Sequence, residues 1–460
     1  MNPVDAARHD ALSLYKFIDS VILPCAVKKH FSYTSPSREF FEFISGLGLA
    51  TKDHVARLSR DLDAALLASN PTDFSLRAQE LVTLRSSWFE LHKFIKPAAD
   101  AHTLESPVPL LTAMTARLRG LPEFEKVRFA IVHTTIVNYF QLSSNYVRQL
   151  AVQISKIVDG PPIFPDDLAI VGLPYSQSNA VFLNTLLAHE MGHFSFQKRC
   201  EQQRLSAPFA TVFANHQVTS ISSQNFVRCF NLVVGWLEEL YCDLFALRLA
   251  GPAFSYAFIE LFALTRNKPS AEFSASHPAP ALRLREQSRL LQSSSDPWWP
   301  NMQVLPNHYT ELLSQTVTMQ DSEFTWKNAA SGNVEQVALV CFFEMLDESR
   351  KAVQDIFGEF DPEVRRFFDQ SGAVMDYLSF GVVPSRLIIG NTAVTPSGTV
   401  LLNAAYSFFL NKLDTLLERL PTADRDCIQC RANWAERVEM WTAKALEDVT
   451  ADGNTLKISY

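Results

Sequence analysis

Apolar residues at Leu81, Leu84, Trp88, Leu91 and Ile95 recur every three to four positions, the spacing that gathers them on one face of a helix packed against a core. A longer, more apolar run of the same kind from Phe129 to Ile157 predicts a second core helix. It stops at Asp159-Gly160-Pro161-Pro162, a breaker cluster that marks a domain boundary. Leu168 to Leu173, set between Pro165 and Pro174, reads as one short strand. The helical pattern returns from Ala180 to about Lys198. After a loop rich in Ser, Gln and Asn, a strongly apolar helix runs from about Phe226 to Ala250 and ends at Gly251-Pro252. Beyond Trp298-Trp299-Pro300, further helical segments are expected near Val334 to Phe357, Leu401 to Leu420 and Ala423 to Val449. A stretch containing Pro, Gly and Thr from Gly381 to Gly398 interrupts them. The expected class is α+β, predominantly helical, with an N-terminal helical unit over 1–160, a core over 161–297 and a C-terminal helical unit over 298–460.

Composition narrows the function. The chain has 460 residues, 47% hydrophobic and 20% charged, which suits an ordered protein of two or three packed units, one large enough to bury a reaction site. A net charge of −8 with scattered Lys and Arg excludes a nucleic-acid platform, which needs a dense basic face. The start lacks a basic segment followed by an uninterrupted apolar one, so no signal peptide is expected. The longest apolar runs, Phe254 to Leu264 and Val337 to Met345, fall short of the roughly 18 to 20 residues of a membrane span. Seven cysteines without a regular framework fit a reducing compartment, so a soluble, cytoplasmic protein is expected.

The sharpest chemical signal is His189-Glu190-Met191-Gly192-His193. On a helix, histidines four apart lie one turn from each other on one face and can chelate a single ion. Glu190 lies about a hundred degrees around from His189, where it can reach the attacking water as general base without occupying the metal. Phe182, Leu183, Leu186 and Leu187 before the motif and Phe194 and Phe196 after it supply the apolar flanks that hold such a helix inside a fold. Hydrolytic zinc usually takes three protein ligands and leaves one position open, so a third ligand is required.

The helix around Trp236 to Ala246 offers that ligand. Glu239 and Asp243 share one face of an otherwise apolar helix, where two carboxylates need a charged partner. Glu239 is assigned as third ligand and Asp243 as acceptor for the free N–H of a ligating histidine. Glu238 competes for the ligand role, but one turn on it meets Cys242 rather than an acid. A third element, Ser276-His277-Pro278-Ala279-Pro280-Ala281-Leu282-Arg283, places an imidazole near a helix start. His277 is the candidate to stabilise a developing oxyanion, and Arg283 to anchor the segment or bind a substrate carboxylate.

Together these elements resemble the HtpX-like and CAAX-prenyl-protease-like gluzincin metallopeptidases. Members carry HExxH, then a Glu followed four residues later by Asp, then His-Pro with an Arg six positions after the His. The resemblance runs here from His189 to Arg283. It implies a zincin core hydrolysing peptide bonds, with one Zn2+ held by His189, His193 and Glu239, Glu190 as base, and a strand before the first helix that binds substrate backbone. Leu168 to Leu173 is the candidate strand. The expected partner is a peptide or protein substrate, with a regulatory protein on the flanking helical units as a further expectation from their size. The competing functions are a catalytically silent zincin-fold binding or regulatory protein and a zinc amidase acting on a small molecule, since the motif specifies attack on a carbonyl and not the leaving group.

Weaker signals remain. Cys427 and Cys430 have the spacing of half a zinc knuckle but no second pair follows. Cys242 beside the site has two readings, a competitor for the metal or an oxidisable thiol against inert packing, with packing preferred, and His133 reads as a core residue on the Phe129 to Ile157 helix. Tyr175, Tyr256 and Tyr309 are unranked candidates for a second oxyanion donor.

Overall fold

The computed structural model describes residues 3–26, 38–67, 70–101, 107–134, 140–142, 144–160, 168–174, 180–216, 223–262, 269–292, 298, 307–326, 333–359, 361–419 and 427–458. Its contacts divide the chain into one unit of Met1–Val108 with Lys126–Ser178 and another of Pro109–Glu125 with Asn179–Tyr460. Pro161, Pro162, Tyr175, Trp299, Pro300 and the expected helix start at Ala423 lie outside the described residues.

In the first unit, α1 (Pro3–Phe17) passes through a π-helical turn, Ile18–Ile22, into α2 (Leu23–Ala26), followed by α3 (Arg38–Leu67) and α4 (Pro71–Ala101). The stripe of Leu81, Leu84, Trp88, Leu91 and Ile95 on α4 is buried against Phe40, Phe41, Ile44 and Leu47 of α3 and apolar residues of α1. The indole of Trp88 donates to the Thr51 hydroxyl at 3.1 Å, so burying the largest ring leaves no orphan donor. α5 (Pro107–Arg119) belongs mostly to the second unit.

The helix expected from Phe129 to Ile157 is not formed over its first half. Arg128–Thr134 is a strand, β1, and Phe140–Leu142 another, β2; only Ser144–Val158 is helical, as α6. The run also fits the extended period: Phe129 and Ile131, two apart, are both buried, and Ile131, Val132 and Thr134 are β-branched. The expected strand is present as β3 (Leu168–Pro174), parallel to β1 from Arg128 opposite Leu168 onward and antiparallel to β2, in the order β1-β3-β2. As the central strand its Ala169, Ile170, Val171 and Leu173 are all buried. His133 therefore lies on a strand rather than a helix.

The second unit follows as a 3-10 turn (Leu183–Leu186) running into α7 (Leu187–Lys198), then α8 (Glu201–Asn215), α9 (Ser223–Ala250), α10 (Pro252–Phe262), β4 (Glu272–Phe273), α11 (Pro280–Leu291), α12 (Asn307–Val317) and β5 (Thr325–Trp326), parallel to β4. The segment Val334 to Phe357 is two helices, α13 (Asn333–Glu344) and α14 (Leu346–Phe357), parted at Met345. They are followed by α15 (Pro362–Ser379), the hairpin of β6 (Leu387–Ile389) and β7 (Thr392–Val394), α16 (Gly398–Asn411), α17 (Leu413–Leu417) and α18 (Ile428–Ile458). The protein is predominantly helical, with few short strands.

α9 carries the unit. From Leu240 to Ala250 every residue is buried, the mark of a helix apolar on all sides and enclosed by neighbours. Its end is held by a glycine and two side chains. Gly251 takes the left-handed φ of +72° that closes the helix, and a Cβ there would meet the Asn403 amide at 2.6 Å. Asn403 of α16 donates to the Ala250 carbonyl at 2.8 Å and accepts from the Ala253 N–H at 2.7 Å, while Arg117 of α5 donates to the Leu249 carbonyl at 2.8 Å. Among the described residues, no helix is long and apolar enough to cross a membrane.

Candidate metal centre

α7 crosses α9 at a glycine. A Cβ on Gly192 would lie 2.8 Å from the Cys242 Cα, so only glycine lets the two backbones approach this closely. That approach brings the buried His189 and half-buried His193 onto the acidic face of α9. His189, His193 and Cys242 offer ligand atoms within 4.8 Å of one another, a grouping able to hold a metal ion.

The hydrogen bonds decide which atoms remain open. His189 donates through Nδ1 to Asp243 Oδ1 at 2.9 Å, and His193 through Nδ1 to Glu238 Oε1 at 2.9 Å. With both Nδ1 atoms engaged, Nε2 is the atom that each ring has left for a metal ion. Both Nε2 atoms face Glu239, at 3.4 Å from its Oε2 for His189 and 3.6 Å from its Oε1 for His193. Glu239 Oε2 is buried and accepts no hydrogen bond.

Arg283 of α11 braces this face. Its Nε and Nη2 each donate to Asp243 at 2.6 Å, a two-point grip on a fully buried carboxylate, and its Nη1 lies 3.3 Å from Glu239 Oε2. The guanidinium also lies 4.8 Å above the Phe258 ring. Buried and engaged by Asp243, Glu239 and the Phe258 ring, Arg283 ties α11 to this face of α9. His277, 52% exposed, reaches the same face, with Nε2 3.8 Å from Glu239 Oε1 and Nδ1 2.8 Å from the Ser276 hydroxyl.

Charge and burial pull against each other throughout. Burial alone would neutralise Asp243 and Glu239, yet Arg283 and His189 outweigh it and hold both carboxyls below their usual range. Burial likewise opposes a proton on His189, but the hydrogen bond to Asp243 and the charges of Glu239 and Asp243 raise the imidazole to about 10. Glu190 is different: burial pushes it up, and the two histidines only partly offset that. Burial lowers His277. The Cys242 thiol is pushed far up by burial and then by Glu238, Glu239, Glu190 and Asp243, so a thiolate is strongly disfavoured there.

All the residues of the three motifs thus converge. The residue that sequence reasoning missed in its role is Glu238, read as a rival ligand and found on the far nitrogen of His193. The available signal was that two ligating histidines need two acceptors, whereas Asp243 serves only one. Tyr309 donates its hydroxyl to Glu260 at 3.2 Å, so it is not aimed at this site, and Tyr256 is buried beside Tyr309 and Tyr406. Cys427 and Cys430 belong to no metal-holding group among the described residues. Compared with known proteins, the chain matches no family model, no curated protein and no solved structure.

Proposed function

We propose that the chain is a zinc-dependent metallopeptidase of the gluzincin type, with His189, His193 and Glu239 as ligands. The observation that carries this is the convergence of both Nε2 atoms on a buried carboxylate whose Oε2 has no hydrogen-bond partner. Four tetrahedral ligands at about 2.0 to 2.1 Å from zinc lie about 3.4 Å from one another, and the 3.4 and 3.6 Å separations match that edge. Charge agrees: Glu239 and Asp243 face the Arg283 guanidinium and Glu238 lies on His193, so three carboxyl groups gather around one guanidinium, a surplus that a dication would neutralise. Cys242 is the competing third ligand by proximity, but its thiol resists ionisation and thiolate is the ligating form.

Zinc, when bound, lowers the pKa of water and polarises a carbonyl. The chain's own residues do the rest. Asp243 and Glu238 fix the tautomers and orientations of the two ligating rings. Glu190, with its carboxyl raised toward neutrality by burial, takes the proton of the attacking water and releases it to the leaving amine. The Ser276 hydroxyl donates to Nδ1 of His277, leaving Nε2–H to donate to the oxyanion that develops on the substrate. The substrate class is peptide, by resemblance to the gluzincins, and a small-molecule amide remains the competing substrate.

Metal analysis of the wild type, Glu190→Gln and Cys242→Ser, together with casein hydrolysis, tests this reading. All three should hold one zinc per chain, and Glu190→Gln should lose hydrolysis by about three orders of magnitude or more. Loss of zinc from Cys242→Ser alone would move the third ligand to that residue. Full activity of Glu190→Gln would end the peptidase reading.

A further inference from the structure

A second gathering of acids, half-buried, lies in the same unit, around the turn that leads into α7. Glu439 of α18 accepts the backbone N–H of Val181. The next residue, Phe182, stacks on Tyr406 of α16 with ring centroids 4.6 Å apart and planes 13° from parallel. The Thr185 hydroxyl bonds the Phe182 carbonyl at 2.8 Å and lies 3.3 Å from the Ala253 carbonyl of α10. α7 begins at Leu187, and His189 and Glu190 follow within its first turn.

The groups facing Glu439 are acidic or phenolic. Glu260 of α10 lies close enough to act on it, with Glu436 further along α18, and Glu260 is itself flanked by Tyr309 of α12 and Tyr406 of α16. Among the described residues, neither glutamate forms an ion pair.

We infer that Glu439 is a positioning residue for α7: from the C-terminal helix it holds the 181–186 turn in place, and it holds it most tightly when the Glu439–Glu260 pair keeps a proton. Its consequence for catalysis rests on the metallopeptidase reading; the tether itself does not. Burial, then the Glu260 charge, raise Glu439 to about 7 against the pull of the Val181 N–H, and burial raises Glu260 as well. An acid whose pKa is raised in the packed state binds its proton more tightly there than after opening. The packed turn is therefore favoured at low pH and progressively less so as pH rises toward 7.

Amide hydrogen exchange at Val181 to Leu186 in the full-length chain, corrected for intrinsic rates, reads this directly. In the wild type the opening constant should rise about thirtyfold between pH 5.5 and pH 8. Glu439→Gln keeps an acceptor for Val181 but no titrating charge and should show a flat profile. Glu260→Gln, which removes the like charge, should move the midpoint to lower pH, a response that a purely structural contact would not give. An unchanged profile in Glu439→Gln overturns the inference. If zinc binding or dependence on Glu190 fails while the exchange profiles behave as stated, it is the metallopeptidase reading that falls and the tether that stands.

Discussion

The candidate metal centre and the Glu439–Glu260 pair take carboxyl groups out of solvent, fully or in part, in the same unit, yet the groups respond in opposite directions. Asp243, fully buried, is held below its usual range, whereas Glu439, less deeply buried, is raised to about 7. Depth therefore does not set the direction. Asp243 has a guanidinium gripping both oxygens and an imidazole beside them, while Glu439 has one backbone N–H and another carboxyl. The partner determines whether a buried acid is a fixed charge or a titrating one. A metal centre needs the first kind, because its ligands and their supports must stay ionised, and a proton-sensitive tether needs the second.

The largest way to break this contrast is to turn Asp243 into a group like Glu439. Arg283→Ala leaves Asp243 buried with only His189 and removes the cation 3.3 Å from Glu239. Stripping one partner from a buried pair typically costs about 3 to 5 kcal/mol. Chemical denaturation without added metal should show a loss of that size. A loss below about 1 kcal/mol would mean that Arg283 is not what keeps Asp243 charged.

The second prediction concerns pH. The ordinary carboxyl value of 4.5 applies to Glu439 after unfolding and about 7 before it, so the native state binds the extra proton between these limits. Stability contributed by this group is complete below 4.5, falls as pH rises to 7 and is then constant. Glu439→Gln carries no such dependence. Relative to wild type it should gain about 2.5 kcal/mol between pH 5 and pH 8, seen in paired denaturation curves at the two pH values. A constant difference would show that Glu439 titrates alike in both states.

How much of this was legible in the sequence follows from the range of the interactions. His189, Glu190 and His193 declare themselves because their spacing is local to one helix, and Glu239 with Asp243 because two acids on an apolar helix demand a partner. The strand at Arg128–Thr134 was hidden because a dense apolar run satisfies both the helical and the extended period. Val181 and Glu439 are 258 positions apart, and no local pattern marks a backbone N–H as waiting for a distant carboxylate. Glu238 was ambiguous because adjacent glutamates differ only by the helix's rotation. The crossing at Gly192 is what turns one toward Nδ1 of His193 and the other toward its Nε2.

The smallest predicted effect sharpens the comparison within the candidate metal centre itself. His189 leans on Asp243, fully buried and doubly held by Arg283, whereas His193 leans on Glu238, whose side chain is 25% exposed and for which no second partner is seen among the described residues. The His193 limb is thus the less constrained of the two. Removing a hydrogen-bond partner of a ligating histidine costs about 10- to 100-fold in metal affinity, and solvent beside Glu238 can replace part of what it supplies. Glu238→Gln should therefore weaken zinc binding by about tenfold, at the lower end of that range, with fold stability unchanged in the absence of metal. Competition with a chromogenic chelator measures it. The same loss in affinity from Glu238→Gln and Asp243→Asn would show that burial and the Arg283 grip add nothing to the His189 limb.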